Sequence, residues 1–193
     1  SALRRQNAAR LSAETGEHYI SHNRSEYLQM VRRAAGGGLL MSVTTLLKFG
    51  LAALAFSAFW GGFWAGVNYS ISFVLIQLLH WTVATKQPAM TAPAMAAKLK
   101  DMQASEDAAH TLEAFVDEVA NLVRTQVAAI LGNVLVVFPA ALVLSLLWWQ
   151  MFGATPLDAA HAQSTLDSLH VLGPSALFAA YTGVLLFASS LIA

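Results

Sequence analysis

The sequence predicts an all-α fold: a multispan bundle of about four transmembrane helices with an amphipathic cytoplasmic helix beside it. Three observations carry this. Charged residues make up 11% of the 193 and hydrophobic residues 56%, whereas a soluble domain carries about 25% charged residues. Four stretches, Leu39–Trp60, Phe63–Ala84, Thr125–Trp149 and Pro174–Ala193, hold a single Asp, Glu, Lys or Arg between them, Lys48. Each is long enough to cross ~30 Å of hydrocarbon, for which roughly 20 helical residues suffice, and none shows the charged face of a soluble amphipathic helix. Period-two alternation is absent, which argues against a barrel, and four separated spans are not a signal peptide. The chain contains no cysteine, excluding disulfides, thiolate metal sites and cysteine nucleophiles. Its 11 basic and 11 acidic residues balance, so net charge points to no nucleic-acid partner. It opens at Ser1 and stops inside the apolar run from Val184 to Ala193, and is expected to be part of a longer protein.

Residues 1–35 are polar, helix-prone and basic, a cytoplasmic lead-in. Gly36-Gly37-Gly38 marks a flexible or closely packed start to a membrane hairpin over 36–84, whose spans 39–60 and 63–84 turn at Gly61-Gly62. In the cytoplasmic segment 85–124, Pro88 and Pro93 predict a turn or broken helix over Lys86 to Lys100. Asp101 to Arg124 reads as an amphipathic helix with Leu112, Phe115, Val116, Val119, Leu122 and Val123 on one side. A third span over 125–149 is expected to bend at Pro139, which leaves the Leu135 carbonyl without its usual donor. A weakly acidic outer loop, 150–173, with a short helix, leads to a truncated fourth span, 174–193. Arg4, Arg5, Arg10, Arg24, Arg32, Arg33, Lys86, Lys98, Lys100 and Arg124 all fall on one side of this topology. That asymmetry predicts both ends cytoplasmic. Phe59, Trp60, Phe63 and Trp64 around the first outer turn, Trp148 and Trp149 at the same face, and Trp81 opposite suit membrane boundaries.

Lys48 is the most informative single residue. Counted from the cytoplasmic ends of their spans, Lys48 lies ~13 Å deep, Gln77 ~10 Å and Asn133 ~12 Å. The three form a candidate polar layer for an anionic lipid or substrate, with Thr85, Lys86, Gln87 and Lys98 as an inner rim; intramembrane cations are functional suspects by default. The competing reading has Lys48 snorkelling to the headgroups. Gly62, Gly66 and Ser70, four residues apart, suit close packing of membrane helices. Glu106, His110, Glu113 and Asp117 share a helix face, as would His18, His22 and Glu26; such sets hold zinc, iron or manganese, but the wet face of a helix looks the same and is the preferred reading. No cofactor is expected. The partners implied are the lipid bilayer and the rest of a longer chain.

No P-loop, dinucleotide turn or nucleophile elbow is present. The stretch Glu14-Thr15-Gly16-Glu17-His18-Tyr19-Ile20, the run Ala34 to Leu40 and above all Phe73 to Leu99 (FVLIQLLHWTVATKQPAMTAPAMAAKL) resemble the large bacterial membrane proteins classed as site-specific recombinases of the gonococcal Gcr type. The resemblance implies an inner-membrane location and a label of site-specific DNA recombination. No catalytic residue is carried over from it: Tyr69 and Tyr181 fall inside spans, and Tyr19 and Tyr27 lack an assembled Arg and His cluster. A duplex carrying one charge per ~1.7 Å is also excluded from hydrocarbon. The expected role is therefore membrane transport or lipid handling; the alternatives are recombination as the label states, or a membrane scaffold for a soluble region.

Overall fold

The computed structural model describes residues 16–54, 56–104, 108–170 and 173–192, and among them the chain is helical with no strand. The helices are α1 (Arg24–Ala53), α2 (Ala58–Leu78), α3 (Gln87–Ala104), α4 (Ala108–Phe152), α5 (Ala159–Ser168) and α6 (Pro174–Ile192), with a 3-10 turn at Ala84–Lys86 before α3. By length and composition α1, α2 and the stretch Leu112–Phe152 of α4 can each cross a membrane; α6 contributes a shorter apolar helix over Pro174–Leu186.

A reciprocal cap starts α1. The Asn23 carboxamide oxygen accepts from the Glu26 N–H at 2.9 Å, and the Glu26 carboxylate accepts from the His22 N–H at 2.8 Å. These bonds satisfy amides that a helix start leaves open. α1 then runs unbroken through Gly36-Gly37-Gly38, although interior glycine costs about 0.5–1 kcal/mol relative to alanine. Packing explains their presence. A Cβ at Gly37 would overlap the Thr82 carbonyl group, one at Gly38 would lie 2.7 Å from the Asn133 oxygen, and one at Gly36 would strike the Trp81 indole. Of the two sequence readings for this triplet, close packing is the one observed.

Helix α2 returns antiparallel to α1. Asn68 Nδ2 donates to the Thr44 carbonyl at 2.9 Å, the Thr44 and Ser72 hydroxyls meet at 2.6 Å, and the Thr82 N–H reaches the Arg33 carbonyl at 3.1 Å. The turn lies between Ala53 and Ala58 rather than at Gly61-Gly62, which sit inside α2. Glycine keeps its N–H, and Gly61 donates to the Ser57 carbonyl at 2.8 Å, so the helical ladder continues through it. Gly62 and Gly66 have open space where a Cβ would be, and Ser70 is exposed. The α1–α2 contact runs through Thr44, Asn68 and Ser72 instead.

Helix α4 packs parallel to α1 and joins two expected elements, the amphipathic helix and the third span, into one rod of 45 residues, about 67 Å long. That is roughly twice the ~30 Å of a hydrocarbon core; the charge-free stretch 125–149 is by itself long enough to cross one. The rod passes through Pro139, as α3 passes through Pro93. The apolar side of the expected amphipathic stretch faces largely outward, with Phe115 and Leu122 partly covered. Leu112, Val116, Val119 and Val123 are exposed, while Glu118, Thr125, Ala128 and Ala129 are buried. The inner face of α4 is polar and small because its partners are Ser21, His22 and Lys98 at one level and the glycines of α1 at the next.

A similar pattern recurs elsewhere, beside a small apolar core of Ile20, Met30, Ile76 and Val83. Ser42, Thr44, Ser72, Thr82 and Thr125 are buried, whereas Leu47, Phe59, Ile71, Leu78, Leu135 and Phe138 face outward, Phe138 at 68% exposure. Bundles solvated by lipid tails gain nothing by burying leucine and associate through small and hydrogen-bonding residues.

Candidate functional site

Two neighbouring polar assemblies occupy the basic end of the bundle, beneath the segment that precedes α1. The first is centred on Glu118, whose side chain is 7% exposed. Lys98 Nζ of α3 approaches one carboxylate oxygen at 2.6 Å, and His22 Nε2 approaches the other at 3.0 Å. About two turns further along α4, Thr125 accepts from the Ser21 N–H at 2.9 Å and meets the Ser21 hydroxyl at 2.6 Å. Arg124 donates to the Ser21 carbonyl at 3.0 Å. Two separate pieces of chain, α3 and the Ser21–His22 segment, are thereby tied to α4. Burial alone would push the Glu118 carboxyl up; the hydrogen bonds from Lys98 and His22 outweigh it and hold the group below the ordinary glutamate range.

A group whose folded pKa is depressed stabilises the fold above its unfolded pKa, about 4.3 for glutamate, and loses that contribution as pH falls through the folded value. Docking of α3 and the Ser21–His22 segment on α4 is therefore expected to weaken with acidification below about pH 4.3. Denaturation in detergent as a function of pH checks this: the acid-induced loss should be present in the native chain and flattened in Glu118→Gln. Lys98→Met leaves the carboxylate short of one donor and is expected to cost about 1–3 kcal/mol at neutral pH.

The second assembly is a cleft along the same segment. A wider part of about 720 Å³ is lined by Glu17, His18, Ser21, His22, Glu26 and Arg33, among others. It adjoins a narrow cavity of about 80 Å³ bounded by His18, Tyr19, Met30, Arg33, Gln77, His80, Trp81 and Thr82. The termination of α2 builds that cavity. The His80 N–H bonds the Gln77 carbonyl at 3.1 Å and the Trp81 N–H bonds the Ile76 carbonyl at 2.9 Å. This Schellman pair places residue 80 in the left-handed region, a position usually filled by glycine. His80 holds it at φ 55°, alone among the described non-glycine residues. Tyr19, half-buried, has its hydroxyl pKa raised by burial, against a smaller opposing effect of Arg33. The phenol is thus kept neutral, as a hydrogen-bond donor rather than an activated nucleophile.

Asn133 ties together the backbone next to the narrow cavity. Its Nδ2 donates to the carbonyls of Ala34 and Thr82, the latter at 3.3 Å, and its Oδ1 accepts from the Ala84 N–H at 2.6 Å. Asn133 is level with Gly38, and the antiparallel register of α2 brings Gln77 to about the same height. Lys48 does not join them. It is exposed, ten residues further along α1, about 15 Å away along the axis, with its Nζ 5.9 Å from the Phe49 ring centroid. Depths counted from the first apolar residue of each span make the three coincide; the registers set by the glycines and by Asn133 separate Lys48 from the other two.

Of the expected inner rim, Thr85 is exposed and Lys98 is committed to Glu118, while the side chains of Lys86 and Gln87 lie outside the described residues. In the first metal set Glu113 and Asp117 are exposed; Glu106 and the His110 side chain lie outside the described residues. In the second, His22 is turned onto Glu118 and Glu26 caps α1. Among the described residues no three His, Asp or Glu side chains converge on a metal position. Sequence reading missed Glu118 altogether. The available signal was the run Glu118, Thr125, Ala128, Ala129, Gly132, a polar and small stripe at helical spacing beside an apolar one; in a lipid-solvated helix it is this stripe that turns inward.

Neither the curated proteins nor the solved structures include a match to this chain. A family model described as site-specific recombinase matches residues 4–193. That match spans nearly the whole sequence, and the all-helical protein described above belongs to the site-specific recombinase family.

Proposed function

We propose that the chain is a four-crossing domain of a bacterial inner-membrane protein, its basic end cytoplasmic, that handles an anionic lipid or solute at that boundary. The narrow cavity carries this reading. Arg33, His18 and His80 supply three groups able to bear positive charge, and no carboxylate lines it among the described residues. It lies where the charge-free helices stop, the depth at which lipid headgroups lie. In this reading Lys48 is a snorkelling anchor and the working polar groups sit at the helix ends.

The test begins with fractionation of cells expressing the full chain, then compares lipids retained through detergent purification with those of the bulk membrane. Enrichment of phosphatidylglycerol or phosphatidic acid over zwitterionic lipid is expected. A protein that stays monodisperse in buffer without detergent, or one whose retained lipids mirror the bulk, would remove the proposal.

DNA recombination, as the family description states, is the second reading. One observation favours it beyond the family match: Tyr19 shares its cavity with Arg33 and His80, which are distant in sequence, as well as with its neighbour His18. The raised pKa of that phenol opposes a nucleophilic role. Binding of the purified chain to duplex DNA, steeply weakened by salt, would favour recombination; no binding at low salt would eliminate it.

A further inference from the structure

One residue lining the cavity at the end of α2 carries a polar group that the fold leaves unused. Thr82 is 2% exposed, and its hydroxyl is the single buried side-chain oxygen or nitrogen without a hydrogen-bond partner among the described residues. A buried hydroxyl is ordinarily satisfied, and valine would fill the same volume without the unmet bond. Beside it stands His80, held in a backbone conformation where glycine would be unstrained. Two local costs, an orphaned hydroxyl and a left-handed histidine, thus border one small space whose remaining polar lining includes Arg33, His18, Tyr19 and Gln77. Strain of this kind persists where the surrounding structure uses it. The volume, about 80 Å³, is enough to admit a single tetrahedral oxyanion.

We propose that this cavity is a phosphate-binding site: the Arg33 guanidinium and the His18 and His80 rings contact the oxyanion, and the Thr82 and Tyr19 hydroxyls donate to it. Arg33 is the group suited to bidentate contact with phosphate oxygens. The ligand is a phosphate monoester or diester, presented by a lipid headgroup or free in solution. The proposal deepens the anionic-ligand reading above.

The experiment uses the full chain in neutral detergent, with two probes, inorganic phosphate and mixed micelles carrying phosphatidic acid, each compared with chloride and with phosphatidylcholine. Binding is read by native mass spectrometry and by the rise in thermal midpoint. Arg33→Gln is expected to weaken binding roughly ten- to a hundredfold, the range of a charge-assisted hydrogen bond. Arg32→Gln, an exposed neighbour, is expected to leave it unchanged. Two variants separate ligand binding from folding. Thr82→Val and His80→Gly each relieve a local cost, so both should raise the midpoint of the unliganded protein while lowering affinity for the probe several-fold. Saturation by inorganic phosphate supports a free anion, and saturation by phosphatidic acid alone supports a headgroup. Binding of neither probe, or equal binding by native protein, Arg33→Gln and Thr82→Val, overturns the site. If the chain proves soluble yet binds inorganic phosphate, the membrane reading fails and the site stands.

Discussion

Gly37→Ala is expected to be among the most destabilising single substitutions in the chain, costing about 3 kcal/mol. The added methyl would overlap the Thr82 carbonyl group. That obstacle is backbone, itself fixed by the Thr82 N–H bond to the Arg33 carbonyl and by the Asn133 carboxamide, so no rotamer change relieves the overlap. α1 must then move away from residues 81–83, and the floor of the cavity goes with it. Gly50→Ala supplies the contrast. It lies in the same helix with nothing within 4 Å of its virtual Cβ, and should stabilise by about 0.5–1 kcal/mol through helix propensity alone. Denaturation of both variants in the same detergent checks the pair. Equal effects at the two positions would show that the approach of α1 to Thr82 is not what the triplet is for.

Asn133→Leu is expected to have an effect of similar size for a different reason. One carboxamide serves three backbone groups on two other pieces of chain, the carbonyls of Ala34 and Thr82 and the N–H of Ala84. Leucine fills comparable space but leaves those groups facing a hydrocarbon side chain, at about 1–3 kcal/mol for each group that stays dry. Asn133→Asp should fare no better, since a carboxylate retains the acceptor for Ala84 and presents its second oxygen to two carbonyl oxygens. Limited proteolysis is the direct readout. Release of the connection after α2 should expose the Lys86 peptide bond to trypsin in both variants while the native protein resists. Resistance in Asn133→Leu would mean that the connection is held by other contacts.

The sequence by itself determined the helical class, the existence of charge-free runs of membrane length, and the short helix in the loop before α6, because these depend on local composition and on the absence of any period-two pattern. It also singled out Gly36-Gly37-Gly38 and Asn133, whose residue types are unusual where they stand. Tertiary structure decided the rest. Which way α4 faces follows from what lies opposite it: with Ser21, His22 and Lys98 as neighbours, the inward stripe is Glu118 and Thr125, and the valines turn out. Whether Lys48, Gln77 and Asn133 meet depends on helix register, which is set by contacts between residues some fifty to a hundred positions apart and has no signature in either helix alone. The cavity around Thr82 required the N-terminal segment, α1 and the end of α2 together, since a hydroxyl's lack of a partner is a property of its surroundings and not of the residue.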